Sequence, residues 1–299
     1  MADEQKSPTV TIKREREDVQ RFWLLLARWR TTVQVTAALL LNSYFTQGLT
    51  KGLPCPALNC YACPAAAFAC PIGSIQHFAA RRRFPLYVLG VVGLVGTLIG
   101  RASCGWFCPF GWFQELLHRL PTPKLRLSNR FHWTRYLILA TLVVVAPLLT
   151  RQAWFCQLCP AGTLEAGIPT VLLSPHIRTL IGTLYWIKIG ILGVALAGMS
   201  VIRRPFCRWI CPLGALWSPF NPVSSFRLSV EQERCIRCNR CQEVCPVDVR
   251  VYENPSSGAC IRCLQCVSEC PVTCISVTSS SWPTEAGRAE SAKSTPELC

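Results

Sequence analysis

The sequence predicts an α-helical membrane protein, four spans arranged as two parallel two-helix repeats, with a small α+β domain at the C-terminal side. Three observations carry this reading. The chain of 299 residues is 51% apolar with a mean hydropathy of +0.29. Four long apolar stretches divide it, and sixteen of its twenty cysteines fall in duplicated patterns. Such apolar content is high for a soluble chain. The first residues (MADEQKSPTVTIKREREDVQ) are charged, so no cleavable leader is expected and the cysteines read as metal ligands rather than secreted disulfides. The net charge of +15 is scattered around apolar segments with no basic helix or RNA-binding motif, which excludes a nucleic-acid partner.

The elements follow in order. Residues 1–30 read as a cytoplasmic tail ending in an interfacial helix, with Phe22 to Trp29 at the bilayer surface. Residues 31–50 carry no charge over twenty positions, long enough for a span; 84–100, 132–150 and 179–202 are the other three. Domain limits are 31–130 for the first repeat, 131–222 for the second, 223–278 for the C-terminal domain and 279–299 for a disordered tail. Sixteen Lys and Arg flank one side of the spans and six the other. The positive-inside rule then places both termini and the C-terminal domain in the cytoplasm of a bacterial-type inner membrane, against the contrary cluster Arg81, Arg82, Arg83. Trp106, Trp112, Trp133, Trp154, Trp209 and Trp217 fall near span ends as an aromatic belt would. Glycines 90, 93, 96 and 100 suit close helix packing, and Lys188, inside the fourth stretch, either snorkels to the outer interface or serves a site.

The C-terminal domain contains two runs of C-x2-C-x2-C-x3-C-P: Cys235, Cys238, Cys241, Cys245 and Cys260, Cys263, Cys266, Cys270. This is the bacterial ferredoxin spacing, in which each fourth cysteine ligates the other run's cluster. The expected sets are Cys235, Cys238, Cys241 with Cys270, and Cys260, Cys263, Cys266 with Cys245, holding two [4Fe-4S] clusters. A zinc site would more often show two C-x2-C pairs across a longer gap.

Upstream, Cys60-x2-Cys63-Pro64 and Cys104-x3-Cys108-Pro109 are repeated as Cys156-x2-Cys159-Pro160 and Cys207-x3-Cys211-Pro212, at offsets of 96 and 103 residues. Parallel repeats would bring Cys104, Cys108, Cys207 and Cys211 together at the cytoplasmic face, four thiolates for a third [4Fe-4S] cluster. The alternative is a set of buried structural cysteines. Cys60, Cys63, Cys156 and Cys159 would gather near the outer face for a fourth cluster, or pair as disulfides or a redox dithiol. Cys55 and Cys70 belong to the first outer loop with no counterpart in the second, as further ligands or a mutual disulfide. Cys274 and Cys299 lie outside every pattern. His77, His118, His132 and His176 are proton-relay candidates that more often have no such role.

With the motifs Cys104 to Pro109, Cys207 to Pro212 and the two ferredoxin runs in view, the chain resembles the NapH-type polyferredoxin membrane proteins. These are the quinol-dehydrogenase subunits of periplasmic nitrate reductase systems, and similar modules occur in the NosR and CcoG groups. The resemblance spans roughly residues 30 to 275 and leaves the outer cysteines outside the family pattern. It implies a membrane electron carrier, a possible quinol dehydrogenase subunit rather than a stand-alone enzyme. Electrons would pass between quinone, or a cytoplasmic donor, and a redox protein partner such as a reductase or cytochrome. Two competing functions are transmembrane thiol-disulfide transfer and metal reduction during assembly of another enzyme.

Overall fold

Residues 9 to 41 contain neither glycine nor proline, and the chain there forms one continuous helix, α1 (Pro8–Leu41), about 50 Å long. The computed structural model describes residues 8–43, 50–127, 131–179 and 181–279. The expected division between an interfacial helix and a span over 31–50 is therefore replaced by a single rod. It ends at Leu41, and residues 44–49 lie outside the described residues, as do the end of the tail and Cys299. The carbonyl of Leu41 is capped by the Ala67 amide and the Asn59 side chain, so the loop over 50–70 folds back over the end of α1.

The next helices are α2 (Pro71–Ala80), α3 (Leu86–Ile99), α4 (Ala102–Trp106) and α5 (Pro109–Leu117). The second half continues with α6 (Thr134–Thr150), α7 (Trp154–Leu158), a helix over 160–173 (α8), α9 (Pro175–Arg178) and α10 (Thr183–Val201). A wide π turn at Phe206–Ile210 then leads into α11 (Pro212–Trp217). Four of these helices begin alike, at Cys70, Cys108, Cys159 and Cys211. Each of these cysteines is an extended N-cap followed by proline, the residue whose fixed φ and missing N–H suit a first helical position.

Among the described helices, α10 is long and apolar enough to cross a membrane, at about 28 Å; α3 and α6 are apolar but shorter. Their surfaces are nonetheless apolar outward. Leu94 and Leu98 on α3, Val145 and Leu149 on α6, and Trp186 and Val194 on α10 are all exposed. The expected glycine packing is limited: Gly90 and Gly93 face open space, whereas a side chain at Gly96 would collide with the ring of Phe220. The tryptophan belt is also reduced, because Trp106 and Trp217 are buried, with the Trp106 indole donating to the Arg262 carbonyl at 2.9 Å.

The C-terminal part is a two-stranded antiparallel sheet, β1 (Phe226–Val230) and β2 (Ile275–Ser279), paired from Phe226 opposite Ser279 to Val230 opposite Ile275. Two one-turn helices lie between the strands, α12 (Arg240–Glu243) and α13 (Gln265–Ser268). This part is embedded in the helical part rather than appended to it. Buried Asn221 donates to the carbonyls of Ser257 and Cys260 at 2.8 Å and accepts the Arg101 amide at 2.9 Å. On the other side, Trp23 of α1 packs its ring 5.2 Å from that of Phe226.

Candidate iron-sulfur sites

The two ferredoxin runs fold as copies of each other down to the backbone. Arg237, Asn239 and Asp248 have φ of 49°, 59° and 54°, and Arg262, Leu264 and Thr273, each 25 residues later, have 49°, 63° and 48°. Left-handed backbone is costly for residues such as Arg and Leu, so its repetition marks loops held in shape by what they surround. Those turns aim amides at sulfur: Arg262 N–H donates to Cys260 Sγ at 3.4 Å and Val249 N–H to Cys245 Sγ at 3.3 Å. Cys235, Cys238, Cys241 and Cys270 line one small cavity, the crossed set expected from the spacing. Cys274 lines it too, with Sγ 3.5 Å from that of Cys270, a fifth thiol that no spacing rule revealed. Cys245 lies with the second run: burial pushes its thiol up to about 12, and the thiols of Cys263 and Cys260 push in the same direction.

Cys104, Cys108, Cys207 and Cys211 converge in the interior, all buried and all within mutual electrostatic reach. Two arginines cross between the halves to hold them. Arg101 Nη2 donates to the Cys207 carbonyl at 3.2 Å, and Arg204 Nη1 donates to the Cys104 carbonyl at 3.0 Å. Each passes over the glycine of the opposite Cys-Pro-x-Gly: a Cβ would stand 2.7 Å from Arg101 Nη2 at Gly214 and 3.3 Å from Arg204 Nη1 at Gly111. A side chain at Gly214 would therefore displace the Arg101 fork, and one at Gly111 would press on Arg204 and the Cys104 carbonyl. Gln114 donates to Cys207 Sγ at 3.1 Å. The arginines share the pattern R-x2-C-x3-C-P, a sequence signal for them as plain as that of the cysteines.

Charge tests whether these residues suit an anionic cluster. Arg30, Arg101, Arg135, Arg204, Arg208 and Arg262 are all buried. A buried ion is costly unless it is paired. Glu115 bridges Arg30 at 2.7 Å and Arg204 at 2.9 Å, and Asp248 reaches Arg208 at 3.5 Å. Burial pushes the Glu115 carboxyl up, but Arg204 and Arg30 outweigh it and hold it below its usual range. Arg101, Arg135 and Arg262 have hydrogen-bond partners that are carbonyls and hydroxyls, and the Nε of each is unpartnered. Burial pulls Arg262 down to about 10. The missing counter-charge fits thiolate-bound clusters, which are negative.

The outer cysteines do not group as their C-x2-C-P spacing suggests. Cys60, Cys156 and Cys159 line a cavity of about 750 Å³ together with Cys70, while Cys63 does not line it and is buried against Ala66 and Ala166, with Cys60 packed on that cluster. Cys55 donates its thiol to the Ala57 carbonyl at 3.3 Å. All nineteen described cysteines are free thiols. Lys188 and His77 line the same cavity.

Comparison with known proteins adds the family. A 4Fe-4S binding domain family (Fer4_5) matches residues 67–87, 84–128, 131–168 and 184–230, and a second family of that description (Fer4) matches 228–251. A ferredoxin-type NapH protein of Haemophilus influenzae is 22% identical over 79% of this chain and 78% of its own. A methylamine utilization ferredoxin-type protein, MauN, of Methylobacillus flagellatus is 28% identical over 53% and 56%.

The chain belongs to the NapH-like polyferredoxin family.

This polyferredoxin is also 29% identical to an uncharacterized protein of Methanocaldococcus jannaschii, over 62% of this chain and 75% of the other. No solved structure matches it. Each of the four Fer4_5 matches contains one Cys-Pro-x-Gly, at Cys70, Cys108, Cys159 and Cys211 in turn. The polyferredoxin therefore carries four copies of one cysteine device, besides its ferredoxin runs.

Proposed function

We propose that the chain is a membrane-bound electron-transfer protein. In this reading Cys235, Cys238, Cys241 and Cys270 hold one [4Fe-4S] cluster, Cys260, Cys263, Cys266 and Cys245 a second, and Cys104, Cys108, Cys207 and Cys211 a third. Such clusters are one-electron carriers tuned by charge, hydrogen bonds to sulfur and exposure, so several in sequence divide the two electrons of a quinol. The observation that carries the reading is the contact between the inner cysteines and the second ferredoxin run. A Cβ at Gly105, beside Cys104, would meet the Ile261 carbonyl at 2.4 Å and the Cys263 backbone at 3.6 Å. The Gly105 carbonyl is fixed in turn by Arg30 at 3.1 Å and Gln34 at 2.9 Å.

The exposed apolar faces of α3, α6 and α10 support a bilayer setting, since a soluble monomer rarely shows apolar surface so continuous. In that setting the chain crosses four times with its ferredoxin part in the cytoplasm, taking electrons from quinone or a soluble donor to a redox protein partner.

Anaerobic purification with iron and sulfide counting, combined with EPR during redox titration, tests the reading. The full-length protein carries at least about twelve irons, four per cubane, and C104S or C207S loses about four together with one EPR signal. Unchanged iron in both variants sinks the inner cluster.

A further inference from the structure

We propose that Cys60, Cys70, Cys156 and Cys159 form a fourth cluster site, shared between the two halves of the chain and built on the same plan as the inner one. The assignment rests on the cluster chemistry proposed above. It replaces Cys63, the partner that the C-x2-C-P spacing selects, with Cys70.

The plan is visible in three matched contacts. First, the structural counterpart of Cys159-Pro160-Ala161-Gly162 is Cys70-Pro71-Ile72-Gly73, 89 residues earlier, each opening a helix at the shared cavity. Second, each glycine faces a cysteine of the opposite half. A Cβ at Gly73 would stand 3.6 Å from Cys156 Sγ, and one at Gly162 would stand 3.3 Å from Cys60 Sγ. Third, the residues six positions after Cys70 and Cys159 also cross over. Gln76 donates to Cys156 Sγ at 3.1 Å and accepts the Phe155 amide at 3.0 Å, and Glu165 accepts the Cys60 amide at 2.7 Å. Cys60 thus pairs with Cys156 and Cys70 with Cys159 about a local two-fold relation.

The inner site repeats the device. Gln114 stands six positions after Cys108, as Gln76 does after Cys70, and reaches Cys207 Sγ across the halves at the same 3.1 Å. Cys63 and Cys55 make none of these contacts: one is buried against Ala66 and Ala166 with Cys60 beside it, the other hydrogen-bonded within its own loop. Charge suits an anionic occupant, because Lys188, Arg151 and Lys51 line the cavity. The two sites also share a wall. Leu58, two residues before Cys60, lines the outer cavity and belongs to the same buried cluster as Cys108. Four thiols release their protons on binding a cubane, and the site then passes one electron at a time to or from its inner neighbour.

The test uses the full-length protein, purified anaerobically, with iron, sulfide and zinc counted. C70S and C159S each lose about four irons relative to wild type, while C63S and C55S keep them. Retention of the ferredoxin EPR signals in C70S and C159S shows that the fold survives. Loss of iron in C63S with none in C70S overturns the assignment, as does zinc in place of iron. If C104S loses about four irons but C70S and C159S lose none, the outer assignment alone fails; if C104S also loses none, the proposed function fails with it.

Discussion

The inner and outer four-thiol groups are made from the same parts and differ in what crosses between the halves. At the inner group the crossing side chains are Arg101 and Arg204, both fully buried, each lying against the other half's glycine. At the outer group no arginine crosses among the described residues, the glycines face thiols directly, and the space opens into a large cavity with Lys188 on its wall. A site sealed by buried cations is a relay whose surroundings do not change. One that opens to a cavity suits exchange with something outside the chain. In the electron path proposed above, the same Cys-Pro-x-Gly device serves two ends according to its neighbours.

The strongest way to break this contrast is to remove a crossing cation. R204M leaves Glu115 with Arg30 alone and frees the Cys104 carbonyl; the lost hydrogen bonds of a buried charged group cost about 1.5–3 kcal/mol, read as a large drop in denaturation midpoint. K188M, at the half-buried cavity wall, stays within about 0.5 kcal/mol of wild type. Equal losses in the two variants would show that the inner seal has no special weight.

Steric tests come next. G214A sets a methyl 2.7 Å from Arg101 Nη2, which donates to the Cys207 carbonyl on a guanidinium whose Nη1 is held by the carbonyls of Gly258 and Ala259, so it loses about 1–3 kcal/mol. G73A places its methyl at an ordinary 3.6 Å and loses far less. A G73A melting temperature as low as that of G214A contradicts the difference in packing.

Hydrogen bonds to sulfur give a smaller effect. Q114L and Q76L each delete one bond to sulfur at 3.1 Å, and Q76L also frees the Phe155 amide; one bond to sulfur is about 1 kcal/mol or on the order of 40 mV for a one-electron centre. The two variants lower the potentials of two different EPR signals. A shift of the same signal by both would merge the sites. The smallest effect is confined to acid. Glu115 titrates lower in the folded than in the unfolded protein, so its contribution is complete above the ordinary carboxylate pKa and is lost as pH falls through the folded value. The acid limb of stability is accordingly shallower in E115Q; an unchanged limb would remove Glu115 from the account.

Much of the site was legible in one dimension. Thiol spacing is short-range chemistry, so the ferredoxin runs and the pairs Cys104, Cys108 and Cys207, Cys211 could be read directly, and each falls where thiols gather. Cys70 was read as a further ligand or a disulfide partner of Cys55, outside the four outer thiols, because the loops before the two outer Cys-Pro-x-Gly motifs differ in length. Ten residues separate Cys60 from Cys70 and three separate Cys156 from Cys159, so matching by spacing pairs Cys159 with Cys63 instead. The buried arginines were counted as orientation signals, although five of them, Arg30, Arg101, Arg135, Arg204 and Arg208, belong to the interior.

By itself the sequence determined the ligand chemistry, the internal duplication, and an apolar, helix-dominated chain, because thiol type, spacing and hydropathy are local properties. Only the tertiary structure decided which distant thiols lie together, that the glycines of the two inner motifs lie against crossing arginines, and that α1 and the ferredoxin part close around one core. Those outcomes depend on contacts between residues tens to hundreds of positions apart, such as Arg101 with Ala259, and loops of unequal length conceal such contacts from any pattern of spacing.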